Sequence, residues 1–274
     1  MILASSLKRR ITIDPIGMRI LLFALMLFPV LSFSQETKKE YYESKRLKSS
    51  STVVDGVLEG KFTEWYENGN KKREGTYVSG KKEGKWQEWY ENGKLWSMMF
   101  FENDVPNGRY EDFDMNGAKV EEGNMVKGVP NGPFYTWFND GKKRSEGELK
   151  NGTKVGIWTT YFEDGSKKDR GEYKMNVRVG QWEEWHESGK LKSRGVYFAG
   201  IEHGLWSYWY ANGRKSMEGE FFEGNKKGVW TEWHDNGKLK SKGNYKGELK
   251  VGDWKYYSTD EELIKVESHP IPDQ

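Results

Sequence analysis

The chain has 274 residues, no cysteine and nearly balanced charge, with 44 Lys and Arg against 42 Asp and Glu. The absence of cysteine excludes a disulfide framework, a thiolate metal site and a cysteine nucleophile. Aromatic residues reach 15% and glycines number 32 within only 35% hydrophobic residues. This composition favours a thin β structure, with large rings packed over small neighbours, over a two-layer globule.

The N-terminal segment, residues 1–34, predicts a secretory signal peptide. Basic residues up to Arg19 precede an apolar run at 20–31, and the small residues Ser32 and Ser34 follow at positions −3 and −1. We expect cleavage after Ser34 and export to the periplasm, the cell surface or the medium. Met18 is an alternative initiator because a complete signal follows it. An uncleaved membrane anchor is the other alternative, although the apolar run is short for spanning a bilayer.

Residues 60–258 form an array with a 24-residue period. Its first glycine recurs at Gly60, Gly84, Gly108, Gly132, Gly156, Gly180, Gly204, Gly228 and Gly252. A fixed period of this length indicates a repeat architecture. Residues 35–59 contain a degenerate repeat and are expected to form an N-terminal cap. Residues 259–274, where Asp260-Glu261 replaces the usual Asn-Gly, are expected to form a cap strand and a loose C-terminal tail.

Each repeat carries one Asn-Gly or similar dipeptide, as at Asn68-Gly69, which predicts a two-residue type I′ hairpin. Residues 78–83 then form a longer connection to the next hairpin. The fold predicted from this pattern is all-β: an elongated antiparallel meander of 24-residue hairpin repeats in a single twisted sheet. Counting from the turn pairs Phe62 with Gly75, so that rings cover cross-strand glycines.

The same register places a second aromatic row on the opposite, more polar face. It pairs Trp65 with Lys72, Trp185 with Lys192 and Trp233 with Lys240, which predicts cation–π contacts. The row consists of Trp65, Trp89, Phe113, Trp137, Tyr161, Trp185, Trp209, Trp233 and Tyr257.

The repeat G-x-W-x-E-W-Y-x-N-G-K-L-x-x-x-G-x-Y-x-x-G, over about residues 38–258, resembles the MORN repeat in its bacterial variant form. The array as a whole resembles the YwqK-like antitoxin family. The resemblance implies hairpin repeats that act as binding modules, with an antitoxin or immunity role in some members. It implies no catalytic residues. The predicted signal peptide does not fit the role of a cytoplasmic antitoxin, because it implies export of the chain.

The repeat pattern fails at residues 95–106, where Met99 replaces the usual glycine. The predicted register places Trp89, Trp96, Met98 and Phe100 together on the polar face. An apolar cluster on a polar face indicates a contact site. The alternative is a small local core covered by the N-terminal segment.

Candidate catalytic and metal-binding residues are weak. His186 and His234 occupy a repeat position that is Tyr elsewhere, and lie two repeats apart, roughly 20 Å, too far to share a metal ion. Neither a GxSxG, HExxH or P-loop motif nor an EF-hand loop is present. We therefore predict no enzyme activity, no metal and no cofactor. Without residues 1–34 the chain has 40 basic and 41 acidic residues, interspersed, which speaks against a nucleic-acid partner.

The sequence thus predicts an exported, non-enzymatic scaffold that binds a protein partner. The alternatives are an antitoxin or immunity component that neutralises a toxin, and a carbohydrate-binding surface protein. Membrane contact is expected only through an uncleaved signal segment. The candidate partner-binding residues are Trp65, Trp89, Trp96, Met98, Phe100, Trp137, Trp185, Trp209 and Trp233.

Overall fold

The computed structural model describes residues 34–271, which form one sheet of 21 antiparallel strands. The strands are β1 (Gln35–Tyr41), β2 (Leu47–Val54), β3 (Val57–Trp65), β4 (Lys71–Val78), β5 (Lys81–Trp89), β6 (Leu95–Glu102), β7 (Val105–Phe113), β8 (Lys119–Val126), β9 (Val129–Pro130), β10 (Gly132–Trp137), β11 (Lys143–Lys150), β12 (Thr153–Tyr161), β13 (Lys167–Lys174), β14 (Val177–Trp185), β15 (Leu191–Phe198), β16 (Ile201–Trp209), β17 (Lys215–Phe222), β18 (Asn225–Trp233), β19 (Leu239–Lys246), β20 (Leu249–Tyr257) and β21 (Leu263–His269). Apart from Ser34, the predicted signal peptide lies outside these residues. Within them, no helix has the length and apolarity needed to cross a membrane.

The sheet is an open meander in which sequential strands pair. Strands β9 and β10 together correspond to a single strand of the other repeats. They are interrupted at Asn131, which lies between two prolines, and β8 pairs with both. Among residues 34–271, the edges are β1, which pairs only with β2, and β21, which pairs only with β20. The predicted all-β hairpin meander is confirmed. The predicted N-terminal cap holds β1, β2 and the start of β3, and the predicted C-terminal tail holds β21.

The prediction of type I′ turns at the Asn-Gly sites was wrong. The Gly69 amide donates to Tyr66 O at 2.9 Å, the Tyr66 amide donates to Asn70 O at 2.8 Å, and Gly69 has a φ of 94°. Asn68 does not have positive φ, so residues 67–69 form a three-residue loop that ends in a glycine bulge. The Asn68 side chain accepts a hydrogen bond from the Asn70 amide and donates one to Glu91 O of the next repeat. These two bonds account for Asn at this position.

The two-residue type I′ turns lie at the other end of the hairpins, where a longer connection was expected. Ser79 and Gly80 have φ values of 49° and 78°, and Val78 pairs directly with Lys81. Most of these turns have a residue other than glycine at the first position and are not Asn-Gly dipeptides. The Asn-Gly pattern in the sequence therefore did not predict them. Both ends of every hairpin are therefore tight, and the sheet has no long connection among residues 34–271.

The register follows from these turns. The predicted pairs Phe62 with Gly75 and Gly60 with Tyr77 are confirmed. The predicted partners of the second aromatic row were wrong by one residue, because the loop has three residues instead of two. The actual pairs are Trp65 with Lys71, Trp185 with Leu191 and Trp233 with Leu239.

One face of the sheet, which we call the glycine face, carries the core. Its most buried rings are those of Trp86, Tyr110, Trp158, Trp182, Trp206, Trp230 and Trp254. The Trp182 ring lies over Gly171 of the preceding strand, where an added Cβ would be 2.2 Å from the ring carbons. The expectation that rings cover their partner in the following strand, Gly75 for Phe62, was wrong, because the ring over Gly75 is that of Trp86. The indole N–H of Trp182 also donates to Glu172 O at 3.2 Å.

Candidate binding surfaces

The predicted row of Trp65, Trp89, Trp137, Trp185, Trp209 and Trp233 lies on the face opposite to the core, which we call the column face. All six rings are half-buried. Each ring lies between side chains of two hairpins. Lys71 is over the Trp89 ring at 5.4 Å, and Leu95 is the direct cross-strand partner of Trp89. The predicted cation–π pairs were wrong, because Lys72, Lys192 and Lys240 lie on the glycine face with their glutamates. Other lysines cover rings of the following repeat instead: Lys71 lies over Trp89, Lys119 over Trp137 and Lys215 over Trp233.

These lysines are held in place by glutamates three residues further on. Lys71 bonds Glu74 at 2.9 Å and Lys119 bonds Glu122 at 2.8 Å; the same pairing joins Lys143 to Glu146 and Lys215 to Glu218. Where Leu replaces this lysine, the glutamate is also replaced, as at Leu95 with Met98. The column is therefore an internally paired packing surface as well as a row of rings.

Residues 95–106 do not form the single apolar surface that was predicted. The pairing of β5 with β6 skips Trp96, which is therefore a bulged residue. Its side chain lies on the glycine face, with its ring 5.9 Å from Tyr90. Met98 is buried and Phe100 is 37% exposed, both on the column face with Trp89. Residues 35–58, suggested as a cover for this cluster, are instead paired within the sheet. The role of these residues in partner binding stays a prediction.

The core adapts locally to Met99. Met99 pairs with Tyr110 of the next strand and fills the space that a glycine leaves in other repeats. The Tyr110 ring instead lies over Gly123, where an added Cβ would be 2.7 Å from the ring. The Tyr110 hydroxyl donates to Glu121 at 2.8 Å. Burial and this hydrogen bond raise the pKa of Tyr110.

The most exposed ring in residues 34–271, Phe198, lies elsewhere on the column face, next to the type I′ turns of β15–β18. Phe198 is 71% exposed, and the His203 ring lies between it, at 6.0 Å, and Phe222, at 5.7 Å. Ile201 is the direct partner of Phe198. We call Val196, Phe198, Ile201, Leu205 and Phe222, all exposed, the Phe198 patch. A contiguous exposed apolar surface of this kind is typical of interaction sites.

The sequence contained a signal for this patch that was missed. The repeat position of Phe198 and Phe222 holds Val78, Glu102, Val126, Lys150, Lys174 and Lys246 in other repeats. Phenylalanine at this position in two consecutive repeats, where other repeats have valine or a charged residue, indicates a local specialisation. The signal was missed because the search followed the failure of the glycine pattern, which is unaffected at Gly195 and Gly219.

The glycine face carries a regular series of hydrogen bonds between repeats, which we call the carbonyl ladder. The Tyr66 hydroxyl donates to Trp89 O at 2.8 Å, and the Tyr42, Tyr90 and Tyr210 hydroxyls bond likewise in their repeats. His186 and His234 replace the phenol and donate Nε2–H to the equivalent carbonyl at 2.8 and 3.0 Å. The interpretation of these histidines as substitutes for tyrosine is confirmed.

Several charged side chains on the glycine face are paired with one another. Glu64 is buried and bonds Lys72 at 3.0 Å as well as Arg73, and Glu184 and Glu232 lie 3.5 Å from Lys192 and Lys240. No three histidine or carboxylate side chains in residues 34–271 come together as metal ligands.

Five segments match the family model described as the MORN repeat variant, at residues 58–79, 82–103, 154–175, 178–198 and 226–246. No curated protein matches the chain. Among solved structures, the chain is similar to TcdB2-TccC3 without hypervariable C-terminal region and to TcdB2-TccC3-TEV, at 12% and 11% identity and a TM-score of 0.21 for both. These alignments cover 82% and 83% of this chain but only 14% of either of the other chains, and carry no argument about function. The YwqK-like antitoxin family stays a prediction, whereas the similarity to the MORN repeat variant is found in five repeats of the array.

Proposed function

We propose that the protein is an exported, non-enzymatic repeat scaffold that binds a protein partner through the Phe198 patch. The observation that carries the proposal is the exposure of Phe198, 71%, beside four further exposed apolar side chains on consecutive strands. Aromatic anchors surrounded by smaller apolar groups supply most of the binding energy in protein interfaces. The regular sheet holds these anchors in fixed positions, so little conformational entropy is lost on binding.

A protein partner suits this surface better than a polysaccharide. Sugars bind by stacking on open ring faces, but the Trp column rings have lysine or leucine side chains on them, as Trp89 has Lys71 and Leu95. Phe198 and Phe222 share His203 as a neighbour, and Lys227 lies over Phe222 at 4.9 Å. The patch is thus a compact apolar cluster edged by Lys227 and by Glu220, the cross-strand partner of Leu205, which suits an apolar protein segment with polar flanks.

The proposal is tested by affinity capture with the exported form of the chain. The patch variant carries Phe198→Ser and Phe222→Ser. The matched control carries Val126→Ser and Val129→Ser, which lie exposed beside the same type of turn in another repeat. We expect one partner with the native chain and the control, and at least about 30-fold weaker binding of the purified partner to the patch variant.

Equal binding by the native chain and the patch variant would contradict the proposal, provided that both unfold at the same urea concentration. A captured partner that is toxic without this chain would extend the proposal to an immunity role.

A further inference from the structure

The carbonyl ladder on the glycine face is interrupted in the middle of the array. Its repeat position is filled by Asp114, Phe138 and Phe162, and the two phenylalanines have no group that can donate to a carbonyl. A groove of about 760 Å³ lies here, with Phe138 in its lining. An adjoining hollow shares Phe138 and Lys168 with it and is also lined by Phe162. A second hollow shares Phe138 and Arg144, so the depression continues over several strands.

The same repeats leave two cations without carboxylate partners. At the equivalent position, Lys72, Lys192 and Lys240 each bond a glutamate of the neighbouring strand. The glutamate position is Thr136 beside Arg144 and Thr160 beside Lys168. Within residues 34–271, neither Arg144 nor Lys168 forms an ion pair, and both line the groove, exposed to solvent.

The spacing of these cations has a counterpart in one peptide conformation. Arg144 and Lys168 are one repeat apart, which is two strands, or about 9.6 Å across the sheet. A polyproline II helix has three residues per turn and a rise of about 3.1 Å, so equivalent side chains recur on one side every ~9.3 Å. An extended β-strand does not match, because residues three apart in a strand point to opposite sides.

We propose that this groove, which we call the Phe138–Phe162 groove, binds an acidic peptide in the polyproline II conformation, with a carboxylate at every third residue. Arg144 and Lys168 each bind one carboxylate. Phe138 and Phe162 contact the prolines between them, as aromatic-lined grooves do in other polyproline recognition. The site is independent of the Phe198 patch, because it lies on the opposite face of the sheet.

The other charges in the groove favour a peptide with spaced carboxylates over a continuous polyanion. Glu163 and Asp169 also line the groove, and Asp169 accepts a hydrogen bond from Thr160. A chain with a negative charge at every unit would place charges against these two carboxylates. A peptide with neutral residues between its carboxylates avoids this repulsion.

The probe is a labelled peptide of repeating Glu-Pro-Pro triplets, compared with Lys-Pro-Pro triplets and with a peptide of the same composition whose glutamates are adjacent. Oligogalacturonate represents an anionic polysaccharide. We expect the full chain to bind the Glu-Pro-Pro peptide more tightly than the other three probes, with an affinity that falls as salt rises. Failure of this peptide to bind, or tighter binding of oligogalacturonate, would overturn the proposal.

Three variants locate the site. Thr160→Glu introduces the carboxylate present at this position in other repeats, so it should neutralise Lys168 and weaken peptide binding about tenfold or more without loss of fold. Arg144→Gln should have a similar effect. Lys240→Gln, at the equivalent position but already paired with Glu232, is the matched control and should bind as the native chain does. Unchanged binding by Thr160→Glu and Arg144→Gln would overturn the proposal, and loss of Phe198 should leave this binding intact.

Discussion

Replacement of Gly171 by alanine tests the central packing rule of the array. A Cβ on Gly171 would lie 2.2 Å from ring carbons of Trp182, which is 1% exposed and also contacts Tyr173 edge-on at 5.1 Å. The backbone cannot move far, because both strands are paired on each side. The Trp182 ring must therefore shift out of its site. Overpacking and partial exposure of the ring together should cost about 3 kcal/mol of unfolding free energy.

The assay is a double-mutant cycle by urea denaturation, followed both by far-ultraviolet circular dichroism and by tryptophan fluorescence. Trp182→Phe supplies the second mutation, since a phenyl ring leaves space for the methyl group introduced by Gly171→Ala, whereas an indole fills that space. We expect the Gly171→Ala cost to fall in the Trp182→Phe background, with a coupling energy of about 1–2 kcal/mol. Glu172→Ala, at an exposed neighbouring side chain, should change stability by less than about 0.5 kcal/mol. A cost that is equal in both backgrounds would refute the reasoning.

Three further predictions concern stability. Hydrogen bonds from Lys143 and Tyr161 lower the pKa of Glu146 below its usual 4.5, against the effect of burial. The unfolded chain therefore binds more protons at this residue, and the stability of the fold decreases as the pH drops below about 4.5. Glu146→Gln should flatten this part of a plot of urea midpoint against pH, and an unchanged plot would contradict the prediction. His234→Phe should lose the bond to Tyr257 O and about 1 kcal/mol, and His234→Tyr should restore it, both read from thermal unfolding. Met99→Gly and Tyr110→Trp should each destabilise alone but cost less together, because the pair restores the regular ring-over-glycine contact; additive urea-midpoint shifts would count against this.

The period of the array was sufficient to predict the fold, because 24 residues with one glycine-bearing turn fit one hairpin and leave little choice of topology. It was not sufficient for the register near the turns. Asn68-Gly69 is compatible with a two-residue turn and with a three-residue loop, and only the backbone φ of Asn68 separates them. Because the loop is one residue longer than predicted, Lys72 and Trp96 lie on the glycine face and not on the column face. The predicted apolar cluster is therefore divided between the two faces.

The surfaces were harder to predict than the fold for a related reason. Exposure on a one-layer sheet depends on whether side chains from neighbouring strands lie over a ring, and this follows from register and bulges together. The sequence predicts Trp89 as a binding residue, yet Lys71 lies over its ring and Leu95 is its direct cross-strand partner. Phe198, at a position that is mostly charged or valine, is the more exposed residue.

Correlated substitutions between repeats of this one chain supply information that the period alone does not. The residue that faces each core ring from the preceding strand is glycine wherever the ring is tryptophan, and the exceptions, Ser51 and Met99, face Phe62 and Tyr110. These correlations mark contacts that folding requires. In some repeats only one residue of such a pair is substituted and its partner is kept. The requirements of folding do not explain a substitution of this kind. Arg144 and Lys168 without their glutamates are such a case, and this is why the Phe138–Phe162 groove, rather than the regular tryptophan rows, is the place to look for a second ligand.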